Sequence, residues 1–167
     1  MKQLEDNLVF VVEDNEMQSM MMDYVLSKEN PYKVVRFKSG EECLANLSRN
    51  PDIIVLDYSL PGMNGMETFK AIKKYNPTIP VFIISATEDK QLEEQFLEAG
   101  IYSYIVKKSD AFHNLSDTIA SLLSNSVSIP EHNYSHRLRM KLIFSVGFIL
   151  LVAVAGLLYF VMGKHLH

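Results

Sequence analysis

Along most of the chain, short apolar runs alternate with longer stretches whose apolar residues recur every three or four positions. Residues 8–12, 53–56 and 81–84 are continuous apolar runs bounded by polar or turn residues, the pattern of strands buried on both faces. Residues 32–37 make a shorter, more polar strand, and residues 101–106 a fifth. The intervening stretches read as helices. Asn15 with Gln18, Ser39 with Glu42 and Asn64 with Glu67 have the spacing of capping boxes, in which two side chains three residues apart satisfy each other's backbone N–H groups. Ser109 stands where it can cap a last helix. Helical spacing predicts inward stripes of Met17, Met20, Met21 and Tyr24; of Cys43, Leu44 and Leu47; and of Phe69 and Ile72. It predicts two more, Leu92, Phe96 and Leu97, and Phe112, Leu115, Ile119, Leu122 and Leu123. Five strands alternating with five helices over short connections predict an α/β domain with a parallel sheet covered on both faces.

Beyond residue 124 the pattern changes. The Ser-, Asn- and Pro-bearing residues 124–135 hold little that could pack and read as a linker. Residues 142–162 are 21 positions without a charge, about 31 Å as a helix, which matches the hydrocarbon core of a bilayer. A buried helix of that length would show a polar face, and this one offers only Ser145 and Tyr159. The expected organisation is a linker and basic juxtamembrane segment over 125–141, a transmembrane helix over 142–163 and a short tail, 164–167. Arg137, Arg139 and Lys141 flank one end of the span and Lys164 alone the other, so the positive-inside bias predicts the preceding domain in the cytoplasm. Gly147 and Gly156 form no small-xxx-small pattern. The span therefore gives no support to tight helix pairing, and dimerisation is left open.

Charge follows the same division. Residues 1–134 carry 12 Lys/Arg and 20 Asp/Glu, a net of −8, whereas residues 135–167 carry four Lys/Arg and no acid. An acidic domain lacks the basic footprint of nonspecific nucleic-acid binding, so no direct nucleic-acid contact is expected. Cys43 is the one cysteine, which excludes an intrachain disulfide and reads as a small core residue. The N-terminus carries acids and no long apolar core, unlike a signal peptide.

The candidate chemistry gathers where the strands end. Glu13 and Asp14 follow the first apolar run, Asp57 the third, Ser85 the fourth and Lys107 the fifth, and open α/β sheets place their ligand crevices at these carboxyl ends. Three carboxylates in one crevice repel each other unless a cation is present. Hard oxygen donors without His or Cys suit Mg²⁺. Lys107 can balance an anion there, and Ser85 offers a hydroxyl. A carboxylate nucleophile, a divalent cation, a lysine and a hydroxyl are the parts needed to accept a phosphoryl group, because that transfer is mostly positioning and charge neutralisation. A glycine-rich nucleotide-binding turn is missing after the first strand, where Glu13-Asp14-Asn15 would repel a phosphate.

Four motifs, Val11-Val-Glu-Asp-Asn15, Asp52-Ile-Ile-Val-Leu-Asp-Tyr-Ser-Leu-Pro-Gly-Met-Asn-Gly65, Ile83-Ile-Ser-Ala86 and Tyr104-Ile-Val-Lys107, make residues 6–124 resemble the receiver domain of bacterial response regulators. The resemblance implies a flavodoxin-like, doubly wound five-stranded parallel sheet, (βα)5, here followed by one C-terminal transmembrane helix. It implies that Asp57 accepts a phosphoryl group from a histidine kinase or a histidine phosphotransfer protein. Glu13, Asp14, Asp57 and the backbone carbonyl of Ser59 would hold Mg²⁺, Ser85 and Lys107 would contact the phosphoryl oxygens, and Ser85 and Tyr104 would switch. Two features depart from the family pattern: Lys108 replaces a common proline, and an apolar run rather than a recognisable output domain follows. Ser59 and Thr87, both short, flank the approach of hydrolytic water, so self-dephosphorylation is expected to be slow. The expectation is a switch at the bacterial inner membrane, spanning it once, that controls an unknown downstream protein and is not a free-standing enzyme. A phosphate sink or a constitutive membrane scaffold is the alternative. An Asp-nucleophile phosphohydrolase is disfavoured, since that chemistry wants a second acid at position 59.

Overall fold

The computed structural model describes residues 7–30 and 32–124, apart from the side chain of Glu29. The expected linker and juxtamembrane segment (125–141), transmembrane helix (142–163) and tail (164–167) lie outside the described residues. Among the described residues no helix is long and apolar enough to cross a membrane.

Strands and helices alternate in chain order: β1 (Leu8–Val12), α1 (Glu16–Glu29), β2 (Lys33–Phe37), α2 (Gly40–Ala45), β3 (Ile53–Asp57), α3 (Gly65–Tyr75), β4 (Val81–Ser85), α4 (Lys90–Ala99), β5 (Ser103–Val106) and α5 (Ala111–Ser124). A 3-10 turn, Leu47–Arg49, follows α2. All neighbouring strands are parallel, in the order β2-β1-β3-β4-β5. This is the five-stranded (βα)5 architecture expected from the alternation. Burial explains the order. Every residue of β3 and β4 is buried, as is all of β1 after Leu8, and these three occupy the centre. The more polar β2 and β5 take the edges.

Because side chains alternate along a strand, each central strand feeds two cores. Val9, Val11, Ile53, Val55, Phe82 and Ile84 pack with Met22 and Leu26 of α1 and Leu115 and Ile119 of α5. Phe10, Val12, Ile54, Leu56, Val81 and Ile83 pack on the other side with Cys43, Phe69, Ile72 and Phe96 from α2, α3 and α4. Burial raises the Cys43 thiol to about 12, so it stays protonated and behaves as the apolar residue expected.

The stripe predicted for α1 is overturned. Met17, Met20, Met21 and Tyr24 are 72%, 56%, 50% and 61% exposed, and the helix instead buries Ser19, Met22, Val25 and Leu26. Two stripes two positions apart both satisfy the helical period in Met17–Leu26, so spacing alone selects neither. The sheet takes the one whose members include Leu26 and the compact Ser19. In α4, Phe96 is buried but Leu97 is 40% exposed.

The caps also differ in detail. The Asn64–Glu67 box is complete. Asn15 Oδ1 accepts from Gln18 N at 3.1 Å, but the Asn15 N–H is taken by Glu13 Oε1 at 3.2 Å, which leaves Gln18 nothing to reach back for. Ser39 Oγ accepts from Glu42 N, while the Glu42 carboxylate accepts from Lys38 N. Ser109 is not the cap of α5: the helix starts at Ala111 and its first turn closes from Asn114 N onto Asp110 O.

The inversion of α1 sets opposite expectations for two neighbouring methionines. Met22→Ala should destabilise the domain by about 2–5 kcal/mol, whereas Met20→Ser should change stability by no more than about 0.5 kcal/mol. Urea titration of the two variants decides it, and a larger loss for Met20→Ser than for Met22→Ala would mean that α1 packs by its other face.

Candidate functional site

Strand register assembles the site. Val12 pairs with Leu56, Asp57 with Ile84, and Ser85 with Val106. Glu13, Asp57, Ser85 and Lys107 therefore stand side by side at the carboxyl edge, each at or just past the end of its strand. Alternation then sorts them. Asp57 shares the parity of Ile53 and Val55, and Glu13 and Lys107 continue that of Val11 and Ile105, so all three belong to the α1/α5 side. Ser85 and Tyr104 share the parity of Ile83, on the α2–α4 side.

The first set meets. Lys107 Nζ lies 2.7 Å from Glu13 Oε2 and 3.1 Å from Asp57 Oδ2. Both carboxylates are buried, at 1% and 4% exposure, while Asp14 is exposed. One carboxylate oxygen from each of Glu13, Asp14 and Asp57 falls within 4.8 Å of the others. Asp57 Oδ1 also accepts from Ser59 N at 3.3 Å. Burial is the main reason that the Glu13 carboxyl sits above its ordinary 4.5; the Lys107 hydrogen bond pulls it down, and the Asp57 charge pushes it up again. The donor set is all oxygen, carries three negative charges when ionised, and suits a hard divalent cation.

The second set faces the loop after β4. Ser85 Oγ donates to Thr87 O at 3.2 Å and accepts from Thr87 N at 3.1 Å. Tyr104 OH donates to the same carbonyl at 3.2 Å. Glu13, Asp14, Asp57 and Lys107 thus gather in one group at this edge, and Ser85 and Tyr104 in another.

Three supports were not foreseen. Glu41 of α2 reaches across to accept from Met63 N at 2.9 Å, holding the loop that follows Asp57. That loop turns at Gly62, whose φ is +75°, and closes at Gly65, where a Cβ would lie 2.6 Å from Tyr58 Cα and 2.8 Å from Asp57 O. Lys108, the residue in the common proline position, pairs with Glu88 at 3.1 Å. No backbone signal in the sequence marks that pairing, and no peptide bond among the described residues is cis.

Residues 9–119 match the response regulator receiver domain. The chain belongs to that family. Its relatives include a cyclic di-GMP phosphodiesterase of Thermotoga maritima, 33% identical over 135 residues that make up 80% of this chain and 36% of that protein. The transcriptional regulatory protein ZraR of Escherichia coli is 30% identical over 125 residues, 74% of this chain and 28% of that protein. The chain spans about a third of the length of these curated relatives. Among solved structures, the response regulator TrrA of Thermotoga maritima, in complex with Mg²⁺ and BeF, aligns with a TM-score of 0.62 at 23% identity over 70% of this chain and 98% of that one. That likeness establishes the shared receiver fold.

Burial of Glu13 makes the stability of this receiver pH-dependent. Folded Glu13 keeps its proton to higher pH than the 4.5 of the unfolded chain, so the folded state binds more protons between the two values. Its contribution is complete below 4.5 and is lost as pH rises through the folded value. In urea titrations without divalent cations, Glu13→Gln should flatten the fall in stability across the window just above pH 4.5. An unchanged slope would exclude Glu13 as its source.

Proposed function

We propose that this chain is a membrane-anchored receiver that takes a phosphoryl group on Asp57 from the phosphohistidine of a histidine kinase or histidine phosphotransfer protein. The observation that carries the reading is the convergence of Glu13, Asp14 and Asp57 on one point with Lys107 in contact with two of them. In the transfer, an Asp57 carboxylate oxygen attacks phosphorus, the P–N bond to the imidazole breaks, and the imidazole leaves with the bonding pair. Lys107, already 3.1 Å from Asp57 Oδ2, would turn its charge toward the incoming phosphoryl oxygens. Ser85 would supply a hydroxyl donor after releasing Thr87, with Tyr104 following the same carbonyl.

Magnesium fits the donor set, with Glu13, Asp14, Asp57 and the Ser59 carbonyl as its protein ligands, Glu13 acting in part through water. When bound it neutralises the acids and the charge of the phosphoryl group. The TrrA receiver was solved with Mg²⁺ and BeF, which supports the same cofactor here. The exposed Met17, Met20 and Met21 begin three residues after Asp14. An adaptable apolar surface this near the acids supports the seating of a protein phosphodonor there.

Phosphorylation adds close to two negative charges at Asp57, and the resulting shift in the Ser85 and Tyr104 loops would control a downstream protein or draw phosphate from a shared kinase. The uncharged run 142–162, flanked by Arg137, Arg139 and Lys141, supports anchoring at the inner membrane with the receiver in the cytoplasm.

Incubated with acetyl phosphate and Mg²⁺, the protein should gain one phosphoryl group by mass spectrometry. Asp57→Asn or a chelator should abolish the gain, and label should persist for minutes once the donor is removed, since Ser59 and Thr87 orient water poorly. Stable phosphate on Asp57→Asn would refute the site, and loss within seconds would refute the slow hydrolysis. In cell fractionation, the chain should be released from membranes by detergent and not by high salt or alkaline carbonate. A version ending at residue 124 should be released without detergent.

A further inference from the structure

The loop that holds Ser85 away from Asp57 is fastened at two points. One is the Thr87 carbonyl, which receives hydrogen bonds from both Ser85 Oγ and Tyr104 OH. The other lies one residue further on, where Glu88 Oε2 meets Lys108 Nζ at 3.1 Å. This second fastening joins two neighbouring loops at the carboxyl edge of the sheet, because Glu88 is in the loop after β4 and Lys108 in the loop after β5. Lys108 also immediately follows Lys107, whose ammonium is in contact with Asp57.

We propose that Glu88 and Lys108 form an ionic strap that keeps the loop after β4 in its unphosphorylated position, making both of them positioning residues for phosphoryl capture. The inference rests on the phosphoacceptor reading of Asp57. Ser85 projects to the opposite side of the sheet from Asp57, and its hydroxyl is engaged by Thr87 as donor and as acceptor. To reach a phosphoryl oxygen it must leave Thr87, and the loop must move with Glu88. A new dianion on Asp57 attracts Lys108 and repels Glu88, so the charge that needs Ser85 also weakens the strap. A proline at position 108 could not do this, having no charge to pair.

Both side chains are more than half exposed, at 60% and 67%, so the pair can bias the loop equilibrium by only about twofold to fivefold, and less as salt screens it. The same exposure means that substitutions here leave the fold intact.

The test uses the full-length protein in detergent, with beryllium fluoride plus Mg²⁺ as the phosphoryl stand-in and calorimetry as the readout. Glu88→Gln and Lys108→Gln should each raise affinity by about twofold to fivefold at low ionic strength, and the gain should shrink at high salt as the wild-type strap is screened. The charge-swapped double variant Glu88→Lys/Lys108→Glu should return to wild-type affinity. Unchanged affinities in both single variants overturn the strap, as does a swap that fails to restore it. A rise for Glu88→Gln with a fall for Lys108→Gln also overturns it, because Lys108 would then bind the anion directly. Wild-type protein that binds no beryllium fluoride overturns the Asp57 reading and the strap together, a result distinct from all of these.

Discussion

Two carboxylates buried against one ammonium are the constraint on which the rest of this receiver depends. Lys107 touches both Glu13 and Asp57, and Asp14 brings a third acid within 4.8 Å of them. Moving such charges out of water is costly, and the upward shift of Glu13 records that cost despite its lysine partner. The arrangement persists because three buried strands, apolar up to their last residues, lock the edge on which it stands. Val12, Leu56 and Ile84, each one residue before its site residue, are all buried completely. An under-neutralised cluster held by a rigid sheet is poised to gain from a cation and from a chemistry that moves negative charge toward a lysine.

The period of two along the strands divides the labour. Glu13, Asp57 and Lys107 fall on the side covered by α1 and α5, where they make the charged centre. Ser85 and Tyr104 fall on the side of α4, where both hold the Thr87 carbonyl. Chemistry and response are thus on opposite faces of one sheet edge, coupled through a loop of four residues between β4 and α4. Anything that fastens this loop, including Glu88 and Lys108, sits between the two. Strong sheet hydrogen bonding on one side of the loop and a solvent-exposed ion pair on the other give it one firm end and one that yields to charge.

Strand existence, order of elements and the composition of the charged centre were legible because each depends on local pattern. Short apolar runs rich in Val and Ile and bounded by turn residues read as buried strands, and an acid or a lysine at the end of such a run is carried to the sheet edge with it. Cap geometry was legible in part. Asn64 with Glu67 forms the full box, but Asn15 loses its backbone N–H to Glu13, a bond that exists only because β1 delivers Glu13 to that turn. The facing of α1 was not legible. Met17, Met20, Met21 and Tyr24 repeat as regularly as Ser19, Met22, Val25 and Leu26, and a helix with apolar residues on both faces carries no periodic signal of which face turns inward.

By itself, the sequence determined that a parallel α/β sheet would form and that acids, a hydroxyl and a lysine would end its strands, because burial and alternation are properties of consecutive residues. It also determined the separate character of the apolar run after residue 141, since length without charge is read directly from the chain. Tertiary structure alone decided which groups touch. Strand register set Lys107 between Glu13 and Asp57, the sheet surface chose the inward face of α1, and the meeting of two loops joined Glu88 to Lys108, 20 residues away. Each of these depends on distances between segments remote in sequence, and no local pattern encodes such a distance.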